Sequence, residues 1–462
     1  MPRNAIGIDI GGTNIRAARV APDGTILDRR AVATDRDPAG CLRTCLALIS
    51  ALRDADTVAI GAGVPGQVDF DRQVALSGGY VDLSSIPFAR RLAEEAGLPV
   101  TIDNDASMAL IAEARVGAAR GCANAVLFTI GTGIGGAILD HGRILRGRGT
   151  AGQLGHLVVM PEGRPCVCGR RGCVETESSG TAFATHLAEA GLPSHLRAQD
   201  LLAMDDDPAA QTVLMRWAAP LRSAIDTMIT AVSPDLVLIG GGAGAAALAA
   251  LARVPSARSW FDAPVVAAAL QDDAGVTGAA LASLPRGRRA ILVNGVPASG
   301  KSGIADHLSR AGGWPVLSLD TVKNPFLLEF APVDRPMNRR FGMATYSAIF
   351  DMVAQHPPAA TVIIDAWFGF QPRAVLDEGL QRAGITEVVE VWCHARPDTI
   401  ADRYSRRAGS RPAGHPGLDY VPELRALAER ARPSGGFPLI EVDTEQPVDP
   451  AMLAQQIGLL LR

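Results

Sequence analysis

AIGIDIGGTNIRAARV (5–20) and AVLFTIGTGIGGAILD (125–140) follow one plan: an apolar strand, a glycine turn and a second strand. The two stretches lie about 120 residues apart. Between them, strand-like runs at 57–64 (TVAIGAGV) and 99–105 (PVTIDND) alternate with amphipathic helical stretches at 87–98 (PFARRLAEEAGL) and 106–121 (ASMALIAEARVGAARG). Strands alternating with helices give an α/β architecture. The repeated unit predicts two similar lobes with a cleft between them. A third glycine turn follows a strand at 234–244 (PDLVLIGGGAG), and this region fades out at 275–284 (GVTGAALASL).

A short basic stretch, PRGRR (285–289), leads straight into a new strand, AILVNG (290–295). The βα pattern then resumes through VLSLD (316–320), TVIIDAWF (361–368), VVEVWCHA (388–395) and PLIEVD (438–443). The domains predicted from this pattern are 1–286 and 287–462. A linker this short is no flexible tether, so the two are expected to touch. A chain of 462 residues is in any case too long for one core.

The composition, 48% hydrophobic and 20% charged, is that of a globular protein. A formal charge of -4 gives no reason to expect nucleic acid or an anionic membrane as partner. No apolar run reaches the roughly 20 residues that span a bilayer. The first residues, MPRNAIGIDI, lack a signal-peptide layout, so a cytoplasmic location is expected. The odd count of seven cysteines argues against a disulfide framework. Cys41, Cys45, Cys122 and Cys393 are scattered and read as small buried hydrophobes.

Asp9-Ile-Gly-Gly-Thr-Asn14 has the makings of a phosphate-binding turn. Gly11 and Gly12 permit positive φ and close approach of a ligand, and Thr13 and backbone N–H groups can donate to phosphate oxygens. Asp9 can orient water or hold Mg²⁺. An ordinary Gly-Gly hairpin turn is the competing reading. In the second turn Gly131, Gly133 and Gly136 satisfy G-x-G-x-x-G, but a dinucleotide fingerprint needs a helix after the glycines. AILDHGRIL reads instead as strand and turn. Asn104-Asp105 stands where a strand ends and a helix begins, so Asp105 is either a helix N-cap or a general base for phosphoryl transfer.

His156, Cys166, Cys168 and Cys173 form an S₃N set within eighteen residues, which suits tetrahedral Zn²⁺. Gly169 and Gly172 let the chain fold back so that Cys173 meets the other two thiols. Four protein ligands leave no open position, so the zinc is expected to be structural.

In their order along the chain, DIGGTN (9–14), GVPGQVD (63–69), NDA (104–106), GTGIGG (131–136), GH (155–156), CVCGRRGCVE (166–175), SG (179–180) and IGGG (239–242) resemble the ROK family of sugar kinases over about residues 4–284. The resemblance implies a duplicated actin/hexokinase-like (ribonuclease H-like) fold with ATP and sugar in the interlobe cleft. It implies Asp105 as catalytic base, and sugar contacts from Asn104, His156 and Glu175, with His156 also on the zinc. Asp9, Gly11, Gly12, Thr13, Asn14, Thr132, Gly133 and Gly241 would line the nucleotide. Repressors of the family carry a helix-turn-helix ahead of the first strand, and only four residues precede it here, so no DNA binding is expected. Oligomers are common in the family, which puts a homodimer among the expected states. One departure stands out. Where the family usually has Glu two residues before the Gly-His, this chain has Gln153. An amide donates on one side, which a carboxylate cannot do. The preferred sugar is therefore expected to differ from plain glucose at the hydroxyls read there.

Gly295-Val-Pro-Ala-Ser-Gly300-Lys301-Ser302 is G-x₄-G-K-S between an apolar strand and a helical stretch, which is the setting of a P-loop. Lys301 would reach the β/γ oxygens, and Ser302 would bind Mg²⁺. Asp365, ending TVIIDAWF, looks like the second Mg²⁺ carboxylate. Asp320 is read as ending the next strand, where small-molecule kinases that resemble chloramphenicol phosphotransferase or gluconate kinase often carry an acidic base. Arg403, Arg406, Arg407 and Arg411 read as a lid over the phosphates or as a solvated helix face. The expected C-terminal domain is thus a parallel-sheet P-loop kinase, with the product of the first domain or a related sugar as candidate acceptor. Two other readings remain: a sugar sensor with an ATP-driven switch, or a chain with one active half.

Overall fold

The computed structural model describes residues 3–79, 81–254, 260–285, 287–412 and 414–461; Arg286, in the connecting stretch, lies outside them. The chain packs as two compact units, 1–284 and 285–462.

The first unit holds two five-stranded sheets of the same design. In sheet one, β1 (Asn4–Ile10) is flanked by antiparallel β2 (Asn14–Val20) and parallel β4 (Thr57–Val64); β3 (Ile26–Ala33) and β7 (Val100–Asn104) are the edges. A small hairpin, β5 (Gln67–Asp69) and β6 (Val74–Ser77), hangs from the end of β4. Sheet two repeats the order with β8 (Ala125–Ile130) central, β9 (Ile134–Asp140) and β10 (Arg143–Ile144) antiparallel on one side, and β11 (Leu236–Gly240) and β12 (Val265–Ala267) parallel on the other. The duplication legible at 5–20 and 125–140 is therefore a duplication of whole sheets. The glycines at 131–136 run into β9, not into a helix, which removes the dinucleotide reading.

β1 is buried on both faces, which explains its nearly unbroken apolar run. Ile6, Ile8 and Ile10 pack with Cys41, Leu42, Cys45 and Leu48 of the helix Pro38–Leu52. On the opposite side lies the helix Ala274–Ser283. A Cβ on Gly7 would collide with Val276 O, and one on Gly61 with Ala279 O, so strand and helix backbones touch only because both residues lack side chains. The helix Asp105–Val116 packs against sheet two through Met108, Leu110 and Ile111. It ends at Val116 with Gly117 as its C-cap, short of the expected residue 121.

The second unit is a five-stranded parallel sheet ordered β14-β15-β13-β16-β17: β13 (Arg288–Asn294), β14 (Val316–Ser318), β15 (Thr361–Asp365), β16 (Ile385–His394) and β17 (Leu439–Asp443). The first strand in sequence lies at the centre, with its neighbours filled in on both sides, so a topological switch point falls beside the loop that follows β13. Among the described residues no helix is long and apolar enough to cross a membrane.

Candidate active sites: an interlobe cleft and a P-loop

Strand register brings the first site together. Asp9 pairs with Gly63 across β1 and β4, and Gly63 pairs with Asp103 across β4 and β7. These residues stand in one row at the carboxyl ends of parallel strands, where α/β sheets bind ligands. Gly63 leaves the middle of the row open: a Cβ there would lie 3.3 Å from Asp105 Cα.

Asn104, not Asp105, caps the helix Asp105–Val116. Its Oδ1 accepts from Ala106 N at 3.1 Å and Ser107 N at 3.3 Å, while its Nδ2 donates to Gly66 O at 2.9 Å. Asp105 is the first helical residue, with Oδ1 accepting from Ala106 N at 2.8 Å. Burial pushes its carboxyl up to about 7, and the neighbouring Asp9 charge adds to the rise. Burial also raises Asp9, against the pull of Arg16 3.6 Å away. Arg16 is shared with Asp272 at 3.7 Å.

A small open pocket at the N-terminal end of the helix Asp105–Val116 is lined by Asn104, Asp103, Ser107, Arg146 and Gln153. Gln153 reaches 3.5 Å from Gly66 O, so one carbonyl positions both amides. Asp103 and Arg146 were not picked out from the sequence. Arg146 donates through Nε and Nη2 to the nearly buried Asp103 Oδ2 at 2.9 and 2.8 Å, and its guanidinium covers the Phe70 ring at 3.7 Å. The pair spans 43 residues and joins the end of β7 to the loop after β10; no local motif announces it.

The four zinc candidates converge. Their ligand atoms all lie within 4.8 Å of one another, with His156 Nδ1 3.5 Å from Cys166 Sγ and Cys168 Sγ 3.6 Å from Cys173 Sγ. A tetrahedron with Zn–S of about 2.3 Å and Zn–N of about 2.05 Å has S···S edges of about 3.8 Å and S···N edges of about 3.6 Å. The side chains therefore fit the ion. The loop is braced from beneath by a second set that the sequence did not disclose. Arg164 Nη1 donates to buried Glu177 Oε2 at 2.9 Å, Arg164 Nη2 reaches Glu189 at 2.9 Å, and the ring Nε2 of buried His186 lies 2.9 Å from Glu177 O.

Glu175 sits just past the knot and accepts from Ile134 N at 2.9 Å through Oε2. It thereby links the knot to the second glycine turn, leaving Oε1 for a ligand. That turn is closed by Gly131 N donating to Gly133 O at 2.9 Å. It is joined by Gly180 N to Gly131 O at 2.8 Å, and by Thr181 Oγ1 to Thr132 O at 2.8 Å. Gly241, at φ +81°, packs so tightly that a Cβ would meet the Ile130 backbone. In the first turn Gly11 N donates to Asn14 O at 3.1 Å and Thr34 Oγ1 to Gly11 O at 2.7 Å, with Thr13 and Asn14 exposed. Gly11 does not take the positive φ expected of it; what its missing side chain provides is room, since a Cβ would come within 3.0 Å of Asn14 O.

In the second unit, Gly295–Gly300 wraps the start of the helix Lys301–Gly312. Ser302 Oγ donates to Asp365 Oδ2 at 2.8 Å, and Ser318 Oγ to the same oxygen at 3.0 Å. Asp365 is 2% exposed, and its Oδ1 is buried without a hydrogen-bond partner. A buried carboxylate oxygen left open beside the P-loop serine suits a divalent cation. Asp320 does not end a strand. β14 pairs with β15 only through Val316, Leu317 and Ser318, and the chain turns directly into the helix Leu319–Glu329, so Asp320 falls in its first turn. Arg403 points at the P-loop side but is engaged: it donates to Thr444 Oγ1 at 2.8 Å and Thr444 O at 2.9 Å, while Thr444 Oγ1 donates to Ser299 O at 2.8 Å. Arg407 lies exposed at the end of the helix Pro397–Arg407. Arg411 pairs with Asp320 at 3.3 Å.

Residues 5–284 match the ROK family, and residues 291–418 match an AAA domain. A glucokinase from Halalkalibacterium halodurans is 34% identical over 306 residues, spanning 59% of this chain and 92% of that protein. An N-acetylmannosamine kinase from Yersinia pseudotuberculosis is 33% identical over 287 residues, spanning 60% of this chain and 97% of that protein. Among solved structures, a ROK family glucokinase from Streptomyces griseus in complex with glucose and AMPPNP superposes with a TM-score of 0.54 at 30% identity, covering 61% of this chain and 99% of that one.

Proposed function

The chain belongs to the ROK family, and on that ground we propose that its N-terminal unit transfers the γ-phosphoryl group of ATP to a hydroxyl of a hexose or amino sugar. The observation that carries the reading is Asp105. The capping task falls to Asn104, which also lines the neighbouring pocket, and burial, with the Asp9 charge, holds the adjacent Asp105 carboxyl near 7. A general base works best with a pKa near the operating pH. Asp105 takes the proton of the attacking hydroxyl; that oxygen bonds the γ-phosphorus as the bond to ADP breaks and its electron pair leaves with ADP. Asn104, Gln153, His156 and Glu175 hold the other sugar hydroxyls. The turns at 11–14 and 131–133, with Gly241, hold the nucleotide. Glucokinases and N-acetylmannosamine kinases act on sugars that differ at one carbon, and their presence among the relatives supports a hexose or its N-acetyl amine as substrate.

Zinc on His156, Cys166, Cys168 and Cys173 would pin the loop before Glu175. Zinc bound through Nδ1, which faces Cys166 Sγ, would leave the His156 proton on Nε2, free to donate to a ligand. Mg²⁺, when bound, screens the charge of the transferred phosphoryl; Ser302 and Asp365 would hold it in the second unit, and Asp9 would orient it in the first.

For residues 285–462 we propose a second ATP-dependent phosphotransfer, with Lys301 on the β/γ oxygens, Asp320 as base, and Arg403 and Arg407 flanking the phosphates. Gln153 favours one rival, a sugar sensor that has lost catalysis; Asp105 speaks for an enzyme, because a sensor needs no base. The full chain with Mg-ATP and a panel of hexoses, N-acetylhexosamines and ketoses decides among them by ADP release and product mass. A monophosphate that vanishes in Asp105→Asn supports the first site, and turnover lost selectively in Lys301→Ala supports the second. No sugar-dependent ADP from any acceptor would put the sensor first.

A further inference from the structure

Asp320 belongs to a cluster built from three separate segments. Lys323, one turn along the same helix, is 7% exposed. Its Nζ lies 3.2 Å from Asn338 Oδ1 and 3.7 Å from Asp320 Oδ1. Asn338 is in turn fixed by donating to Gly414 O. From the segment after the helix Pro397–Arg407, Arg411 Nη2 approaches Asp320 Oδ2 to 3.3 Å, with its guanidinium 5.5 Å from the Tyr404 ring. His415, from the same segment, lies 2.8 Å from Asn324 Oδ1 through its Nε2.

The charges do not balance. One carboxylate faces a buried ammonium and a guanidinium, and the P-loop Lys301 adds its field. His415 brings no charge at neutral pH, because burial and then the Arg411 and Lys323 cations push it down to about 4. Burial works to raise Asp320, but Lys323, Lys301 and Arg411 together outweigh it and hold the carboxyl low, so it is ionised and can accept the hydrogen bond of an acceptor hydroxyl. Its side chain remains 44% exposed, open to an acceptor. The surplus is positive, preorganised through Asn338, and placed around the very group that would receive the acceptor hydroxyl. Isolated buried cations are costly unless paired, and an incoming anion would supply the missing partner.

We propose that the acceptor of the C-terminal unit is an anionic polyhydroxy compound, a sugar carrying a phosphate or a carboxylate, whose charge is taken by Arg411 and Lys323 while its hydroxyl meets Asp320. The inference rests on the phosphotransferase reading of this unit. The acceptor oxygen bonds the γ-phosphorus, the bridging bond to ADP breaks with its electron pair on ADP, and the hydroxyl proton passes to Asp320. A sugar monophosphate, the class of product the N-terminal reaction would make, falls within this description; a neutral sugar does not.

The test uses the full chain carrying Asp105→Asn, so that turnover reports the second site, with Mg-ATP and matched acceptors: glucose, gluconate and glucose 6-phosphate. Lys301-dependent transfer to gluconate or glucose 6-phosphate, at least about 10-fold above glucose in kcat/KM, is the expected result, and the better of the two separates a carboxylate from a phosphate. Adding Arg411→Gln should raise the KM for the anionic acceptor about 10- to 100-fold, as loss of a charge-assisted hydrogen bond does, and Arg411→Lys should restore part of it. Glucose accepted as well as either anion would overturn the proposal. So would an Arg411→Gln effect confined to kcat, which would assign the guanidinium to the transferred phosphoryl group. Absence of Lys301-dependent turnover with every acceptor would remove the phosphotransfer reading and this proposal with it.

Discussion

At Asp105, burial and a neighbouring carboxylate act in the same direction, and that sets a pH dependence. The carboxyl must be ionised to serve as base, so sugar-dependent kcat/KM should rise with pH and level off above about 7. Asp105→Asn should lower kcat by about 10²- to 10⁴-fold and abolish that limb; a pH–rate profile of both proteins checks it. The sign for stability is opposite. The folded carboxyl binds its proton more tightly than an unfolded one at 3.8, so between about pH 4 and 7 the native state holds the extra proton and stability falls as pH rises. Asp105→Asn cannot ionise, so its melting temperature relative to the parent should be higher at pH 8 than at pH 5. Gln153 carries a separate expectation. Its amide offers both a donor and an acceptor where a carboxylate only accepts, so Gln153→Glu should shift the ranking of hexoses against N-acetylhexosamines in a kcat/KM panel. An unchanged ranking would remove residue 153 as a selectivity determinant.

Elements were legible wherever periodicity was strong. TVAIGAGV became β4 at its expected limits, and AVLFTI became β8, because central strands buried on both faces need unbroken apolar runs. Asp320 was misplaced by a boundary of two residues, since a strand of three residues leaves little alternation to read. Two predictions belong here. Cys173→Ser should lower bound zinc per chain and the melting temperature together, because Cys173 is fully buried and joins the knot to the helix that carries Glu175; metal analysis alongside thermal unfolding tests this. Gly61→Ala should destabilise the first unit by about 1–3 kcal/mol, since the added Cβ must displace the backbone at Ala279; the shift in urea midpoint measures it.

On the scale of the whole chain, the two proposed nucleotide sites, on separate sheets, predict separable activities. Lys301→Ala should leave the sugar-dependent turnover that requires Asp105 intact, and Asp105→Asn should leave the turnover that requires Lys301; assays of both single variants and of the double variant show whether the losses add. The sequence by itself determined the two-part organisation, the duplicated sheets, the P-loop and the Cys/His set, because each depends on local periodicity or on ligands close together in the chain. Only the tertiary structure decided that Asn104 rather than Asp105 caps its helix, that Arg146 closes on Asp103, that Arg164, Glu177 and His186 brace the zinc loop, and that Lys323, Arg411 and His415 gather around Asp320. Arg164 meets Glu177, Arg146 meets Asp103 and Arg411 meets Asp320 across 13, 43 and 91 residues of chain. No spacing encodes such meetings: charged and polar side chains are brought together by the packing of the apolar elements that carry them, and burial then sets how they titrate.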